Sequence, residues 1–295
     1  MKTWKNSYQT YASLTIAAWG LAFVCSRIAL QSIHDTTLGL LRNLIASIAL
    51  IFVIYLLKVR VFERKDIFTF MLSGGTGFFL FMFTFNKGAQ SVTAATSSVV
   101  LATAPIFTAL IARIFYQEKL RWFQWLAILI GFSGILLLAE GQGGLSANQG
   151  VIWLLLASLS LSIYNNIQRK LNKKYTSLQV SIYSILFGTL PFLFYLPHAI
   201  PEIKTFSLPL IGIVLTLGLL CTAFAYVSWS KAFSLAENTS QVSNYMFITP
   251  ILATFFGIIL IKEIPDQNFL LSAGIILFAL LMFNKGQRIF GSVKS

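Results

Sequence analysis

Ten apolar stretches, each of about 20 residues and bounded by short polar turns, organise the chain. They run over 10–30, 37–57, 67–86, 92–115, 122–139, 150–168, 177–197, 208–230, 240–261 and 267–284. Coiled as a helix, a stretch of about 20 residues matches the ~30 Å hydrocarbon core of a bilayer. Strands of an outer-membrane barrel would instead alternate apolar and polar positions over about 10 residues. The pattern therefore predicts an all-α, polytopic membrane protein with ten transmembrane helices. Connections are short, so no soluble domain is inserted. The longest polar break, 140–149, contains Gly141, Gly143 and Gly144 and falls between the fifth and sixth stretches.

One pattern occurs twice. Ser98, Pro105, Ile106, Ile114 and Glu118 are matched at identical spacing by Ser243, Pro250, Ile251, Ile259 and Glu263. Gly74 with Lys87 is likewise echoed by Gly218 with Lys231. Self-similarity at half the chain length implies one unit duplicated and fused, with boundaries at 1–142 and 148–290. Five crossings per unit is an odd number, so the second copy starts on the opposite side of the membrane. Such inverted repeats offer two near-equivalent arrangements around a shared site, one opening inward and one outward.

Charge fixes an expected orientation. Only 11% of residues are charged, against about 25% in soluble domains. The net charge of +13 does not indicate nucleic acid, because the basic residues cluster in short loops. With the N-terminus inside, sixteen Lys and Arg fall on cytoplasmic segments and three (Lys87, Lys204 and Lys262) on outer loops. That bias places both termini in the cytoplasm. The first stretch is too long for a signal-peptide core and lacks a clear cleavage site, so it reads as the first span. Cys25 and Cys221 lie within spans and read as small packing residues.

Candidate chemistry is sparse and polar rather than ionic. Pro105 and Pro250 fall mid-span, where proline removes a helix hydrogen bond and bends the axis; as a pair they suggest hinges. Ala94, Ser98, Leu101 and Pro105 share one helix face, and Thr239, Ser243, Met246 and Pro250 share its counterpart. Ser98 and Ser243 are thus candidate cavity residues. Tyr164, Asn165 and Asn166 form the most polar cluster inside a span, readable as substrate contacts or as amides joining two helices. Trp19, Tyr226 and Trp229 suggest an aromatic pocket, with Trp229 better placed as an interfacial anchor. Asn86 and Tyr245 are further candidates. Arg42 is the one basic residue deep in an apolar run; a tie to backbone carbonyls or snorkelling outweighs a role on an anionic substrate. Arg27 and Arg113 lie near span ends, where snorkelling suffices. Glu118 and Glu263 sit at helix ends in water and read as caps or loop anchors.

Absences narrow the function. All nine acids map to loops or span ends, so no membrane-embedded carboxylate offers itself as a proton carrier or as a counter-charge for an organic cation. Intramembrane hydrolysis would need Ser/His or paired Asp chemistry within spans. No phosphate-cradling glycine loop precedes a helix. The chain therefore calls for no cofactor or metal. Its expected partners are the lipid bilayer and a small neutral or zwitterionic molecule, the protein itself being a monomer or homodimer.

The arrangement resembles the EamA-type branch of the drug/metabolite transporter superfamily. Trp19-Gly20, Arg42, Gly74 to Lys87-Gly88-Ala89, Ala104-Pro105-Ile106 to Glu118 and Gly134-Ile135-Leu136 carry the likeness. Lys231-Ala232, Thr249-Pro250-Ile251 and Glu263 echo it in the second half. Span ten departs from it, its glycines not matching those of span five. The resemblance implies ten-helix inner-membrane carriers, many exporting amino acids or other small metabolites. It also implies a central cavity lined by helices three, four, eight and nine with parts of one and six. An exporter of amphipathic drugs, or a membrane sensor without transport activity, are the alternative readings.

Overall fold

The computed structural model describes residues 7–117, 119–140, 149–236, 242 and 244–290, and their side chains except at 139, 244 and 284–290. The described residues are helical and contain no strand. Seven helices are long and apolar enough to cross a membrane: α1 (Tyr8–Ala29), α2 (Asp35–Leu57), α3 (Arg64–Ala89), α4 (Ala94–Tyr116), α6 (Gln149–Leu171), α7 (Ser177–Ile203) and α8 (Leu208–Leu235). Three others, α5 (Trp122–Glu140), α9 (Tyr245–Ile261) and α10 (Gln267–Phe290), contain shorter apolar helical segments. Each helix overlaps one of the ten apolar stretches.

Local sequence sets the helix ends. Ser7, Thr93 and Thr176 precede α1, α4 and α7, and their hydroxyls accept from first-turn amides that a helix start leaves without backbone partners. At the other ends, Lys58, Gln117 and Lys262 adopt left-handed backbone, with φ of 48°, 54° and 54°. Gln117 and Lys262 are equivalent positions in the duplicated pattern, so both copies stop the same way.

Packing is symmetric between the first five described helices and the last five. α1 packs on α8 and α9, and α6 packs on α3 and α4; α2 packs on α8, and α7 on α3. Exchanging the two five-helix segments converts each of these contacts into its counterpart. Three further contacts, α2 with α7, α4 with α9 and α5 with α10, map onto themselves. The duplication extends to backbone irregularity: α3 contains a π-helical stretch at Gly75–Leu80 and α8 one at Thr216–Phe224. The helices approach closely where side chains vanish. A Cβ on Gly74 would lie 2.5 Å from the Ser184 carbonyl oxygen and 2.6 Å from the Gly188 nitrogen. There Ser73 Oγ and Ser184 Oγ share a 2.7 Å hydrogen bond, the small-residue and hydroxyl contact typical of helices in lipid. Large apolar side chains such as Phe52, Phe68, Phe115, Phe194 and Phe255 point outward, as a lipid-facing surface requires.

The connections segregate to two ends. Lys174 Nζ bridges Glu63 Oε2 at 2.7 Å and Asp66 Oδ2 at 2.6 Å, joining the α2–α3 and α6–α7 connections. At the opposite ends of the helices, Arg27 meets Glu263 and the Glu202 carboxylate accepts the His34 amide at 2.7 Å. Hydrogen bonds from Lys174 first and Lys65 second hold the Glu63 carboxyl below its usual range. A lowered carboxylate stabilises above its unfolded value of about 4.3, and loses that contribution as pH falls through the folded value. Pepsin cleavage within residues 58–66 is therefore expected to accelerate below about pH 4. In Lys174→Met, where the folded value rises towards the unfolded one, this acid-dependent acceleration should shrink.

Candidate functional site

An aromatic chain crosses the centre of the packing. Trp19 on α1 meets Tyr226 on α8 at 5.5 Å between ring centroids, Tyr226 meets Phe78 on α3 at 5.1 Å, and Phe78 meets Tyr164 on α6 at 5.4 Å. Three residues singled out in the sequence thus converge, joined by Phe78, which was not. Backbone geometry makes this possible. Gly77 sits in the π-helical stretch of α3, where an added Cβ would lie 2.3 Å from Tyr164 Cδ2; only glycine lets the ring seat there. Tyr164 is 3% exposed, with its hydroxyl buried beside Ser181 and Gln168.

Beside this chain lies Arg42, 6% exposed. Its Nε donates to Thr222 Oγ1 at 2.9 Å, and that hydroxyl donates to the Leu217 carbonyl at 2.9 Å. Cys221, Tyr226 and Cys25 are its electrostatic neighbours. The sequence-based expectation of snorkelling or a backbone tie is corrected here. Arg42 is buried among α1, α2 and α8, and the acceptor it reaches is a side-chain hydroxyl.

Other candidates have structural partners. Asn166 Nδ2 reaches the Thr108 carbonyl at 3.1 Å and the Ser162 carbonyl at 2.9 Å, and Asn165 Nδ2 reaches Thr108 Oγ1 at 3.4 Å; both amides join α6 to α4. Ser98 is buried in the part of α4 that packs on α1, α6 and α9, and its hydroxyl donates to the Ala95 carbonyl at 2.7 Å. Asn86 donates to the Asp35 carbonyl at 2.8 Å, while its amide oxygen is buried and unpaired. Tyr245 packs with Tyr8, Tyr11 and Trp229 around the start of α1. Trp229 also stands 5.1 Å from Trp19, so it belongs to the aromatic chain. Ser243 and Glu118 lie outside the described residues.

Both prolines follow a helix interruption. α4 is interrupted at Ala102–Thr103 and resumes at Ala104, so Pro105 is the second residue of a new helical segment. Pro250 holds the same place after the 3₁₀ turn Asn244–Ile248. A proline there lacks an N–H that would have had no helical acceptor, and each break lies in the turn ahead of its proline, where the missing bond to the residue four back places it.

Arg27 and Glu263 also need correction. Arg27 donates to the Ala89 and Gln90 carbonyls and to Glu263 Oε1, while Glu263 Oε2 accepts the Ala94 amide at 2.9 Å. Arg27 therefore does more than snorkel. Glu263 is both cap and anchor, as read from its position, but with a side chain only 20% exposed. A cleft of about 310 Å³ between α2 and α7, lined by Ser47, Phe187 and Thr189, contains none of the candidate residues.

Comparison with known proteins gives concordant results. Residues 7–139 and 148–285 each match the EamA-like transporter family. An uncharacterized transporter of Bacillus subtilis (strain 168), YdfC, is 34% identical over 283 residues, covering 94% of this chain and 92% of its own. A protein of Streptantibioticus cattleyicolor named "Probable terminal-alkyne amino-acid exporter" is 28% identical over 272 residues, covering 92% and 91%. One crystal structure superimposes with a TM-score of 0.65 at 15% identity, over 97% of this chain and 99% of its own. That likeness concerns the fold alone.

Proposed function

Because the chain belongs to the EamA-like transporter family, we propose that it is a secondary carrier exporting small neutral or zwitterionic metabolites of the amino-acid type by alternating access. The observation that carries this reading is the exchange symmetry of the helix contacts around a centre shared by both segments. Two inverted five-helix repeats, crossing a bacterial cytoplasmic membrane ten times with both termini inside, account for that symmetry and for the basic loops. The aromatic chain from Trp19 to Tyr164 then lies where both repeats contribute, and the breaks ahead of Pro105 and Pro250 give each repeat one discontinuous helix to move. A relative named as an amino-acid exporter supports the cargo class.

Reconstituted protein should release preloaded amino acids from vesicles without a strict requirement for a pH gradient, since the one buried carboxylate among the described residues, Asp35, sits at the first residue of α2 beside His34 rather than mid-span. Release of lipophilic dyes with no amino-acid flux would favour drug export, and absence of all flux would end the carrier reading. Orientation is tested separately. Accessible cysteines introduced at Lys119 and Lys262 should react with impermeant reagent from opposite faces of the membrane; reaction from one face refutes the inverted repeat.

A further inference from the structure

The buried Arg42 guanidinium has one hydrogen-bond partner where it has capacity for five. Its Nε is held by Thr222, whose hydroxyl is in turn fixed on the Leu217 carbonyl inside the π-helical stretch of α8. That pair of bonds sets the plane of the guanidinium. The two terminal nitrogens donate to no acceptor among the described residues, and no described carboxylate pairs with the cation. Arg42 is 6% exposed as a whole, and its two terminal nitrogens are not among the fully buried unpaired polar atoms, so they face open space; a cation held there without a counter-charge is costly, and packing alone does not account for it. The symmetry-related crossing of α3 and α7 is closed by the neutral Ser73–Ser184 pair; this type of junction needs no cation. Aromatic surface lies on the same helices: Tyr226 stands one turn beyond Thr222 on α8, and Trp19 on α1 sits edge-on to it at 5.5 Å.

The geometry points to Arg42 as the anchor for a substrate carboxylate, received in bidentate fashion by the two terminal nitrogens while Trp19 and Tyr226 take the apolar body of the same molecule. This rests on the carrier reading and narrows it: the exported class carries a carboxylate, so a zwitterionic amino acid fits and an uncharged solute does not. A planar fork matches a carboxylate's two oxygens with directed, charge-assisted bonds, which lysine, a point charge, does not reproduce.

The test uses full-length protein in lipid nanodiscs and matched probes: L-phenylalanine, L-leucine and L-methionine, each against its carboxamide. At least one acid should bind wild type about 10- to 100-fold more tightly than its amide, as expected when a charged acceptor is lost. Arg42→Gln should erase that preference, and Arg42→Lys should restore it only in part. Thr222→Val, which frees Nε without removing charge, should weaken the acid less than Arg42→Gln does. Equal binding of acids and amides by wild type overturns the proposal without any variant, as does an acid preference that survives in folded Arg42→Gln. Binding of none of the three acids overturns it as well. Vesicle flux separates the two levels: amide export equal to acid export refutes the anchor and leaves the carrier standing.

Discussion

Gly74→Leu is expected to cause the largest loss of stability of any single substitution in the membrane-embedded core. The first atom of the new side chain would meet backbone, the Ser184 carbonyl oxygen at 2.5 Å and the Gly188 nitrogen at 2.6 Å. Backbone atoms cannot rotate aside, so α3 and α7 must separate. Overpacking of this kind costs about 1–3 kcal/mol, and separation also lengthens the 2.7 Å Ser73–Ser184 bond, a further loss of about 0.6 kcal/mol or more in a membrane interior. At roughly 2–4 °C per kcal/mol for a chain of this order of size, the unfolding midpoint in detergent should fall by about 10 °C. Gly218→Leu supplies the internal comparison. Gly218 is the equivalent glycine in the second segment, but its Cβ would meet the Ile45 side chain at 2.6 Å and the nearest backbone atom, the Arg42 carbonyl oxygen, only at 3.3 Å. A side chain can repack, so the loss there should be the smaller. Equal midpoints for Gly74→Leu and wild type would show that the two helices are not held at this crossing.

The same pair of glycines shows what the sequence made legible and what it did not. Their spacing to Lys87 and Lys231 marked a recurring pattern, and the apolar stretches located every described helix, because both signals are local and periodic. The π-helical stretches were invisible, since they change the hydrogen-bonding register without changing the hydrophobic pattern. Yet Phe78 and Thr222 each lie four residues beyond the paired glycines. Carrying the duplication that far would have flagged both: one joins the aromatic chain and the other orients Arg42. The helix breaks at Ala102–Thr103 and before Thr249 fall in the turns ahead of Pro105 and Pro250, which signalled them, while the Thr103 Oγ1 bond to the Val100 carbonyl at 2.6 Å within the first turn was not legible. Asn165 and Asn166 could be read as ligands or as struts, and their partners on α4 settle only where their amide donors go. Nothing local joins Arg27 to Glu263 across 236 positions; such an ion pair follows from the fold and cannot precede it.

That ion pair sets the second expectation, a change in access rather than in fold. Glu263 gathers three elements at one end of the bundle: Arg27 at the end of α1, the Ala94 amide at the start of α4, and its own turn between α9 and α10. If alternating access opens this end, the contact is a latch, and its loss should favour the opened form. Glu263→Ala removes a helix cap worth about 1 kcal/mol and a partly exposed ion pair worth up to about 1 kcal/mol. A shift of 1.4 kcal/mol changes a two-state ratio about tenfold. Cys25, two residues before Arg27 and buried in the structure, is a native reporter of that opening. With Cys221 replaced by alanine, impermeant maleimide should label Cys25 about tenfold faster in Glu263→Ala than in the parent. Lys262→Ala alters an exposed neighbour and should leave the rate unchanged. Arg27→Gln should raise labelling as well, and combining it with Glu263→Ala should add little, because both act on one contact. A labelling rate indifferent to Glu263 would make the contact a static strut, and the opening of this end would need another latch.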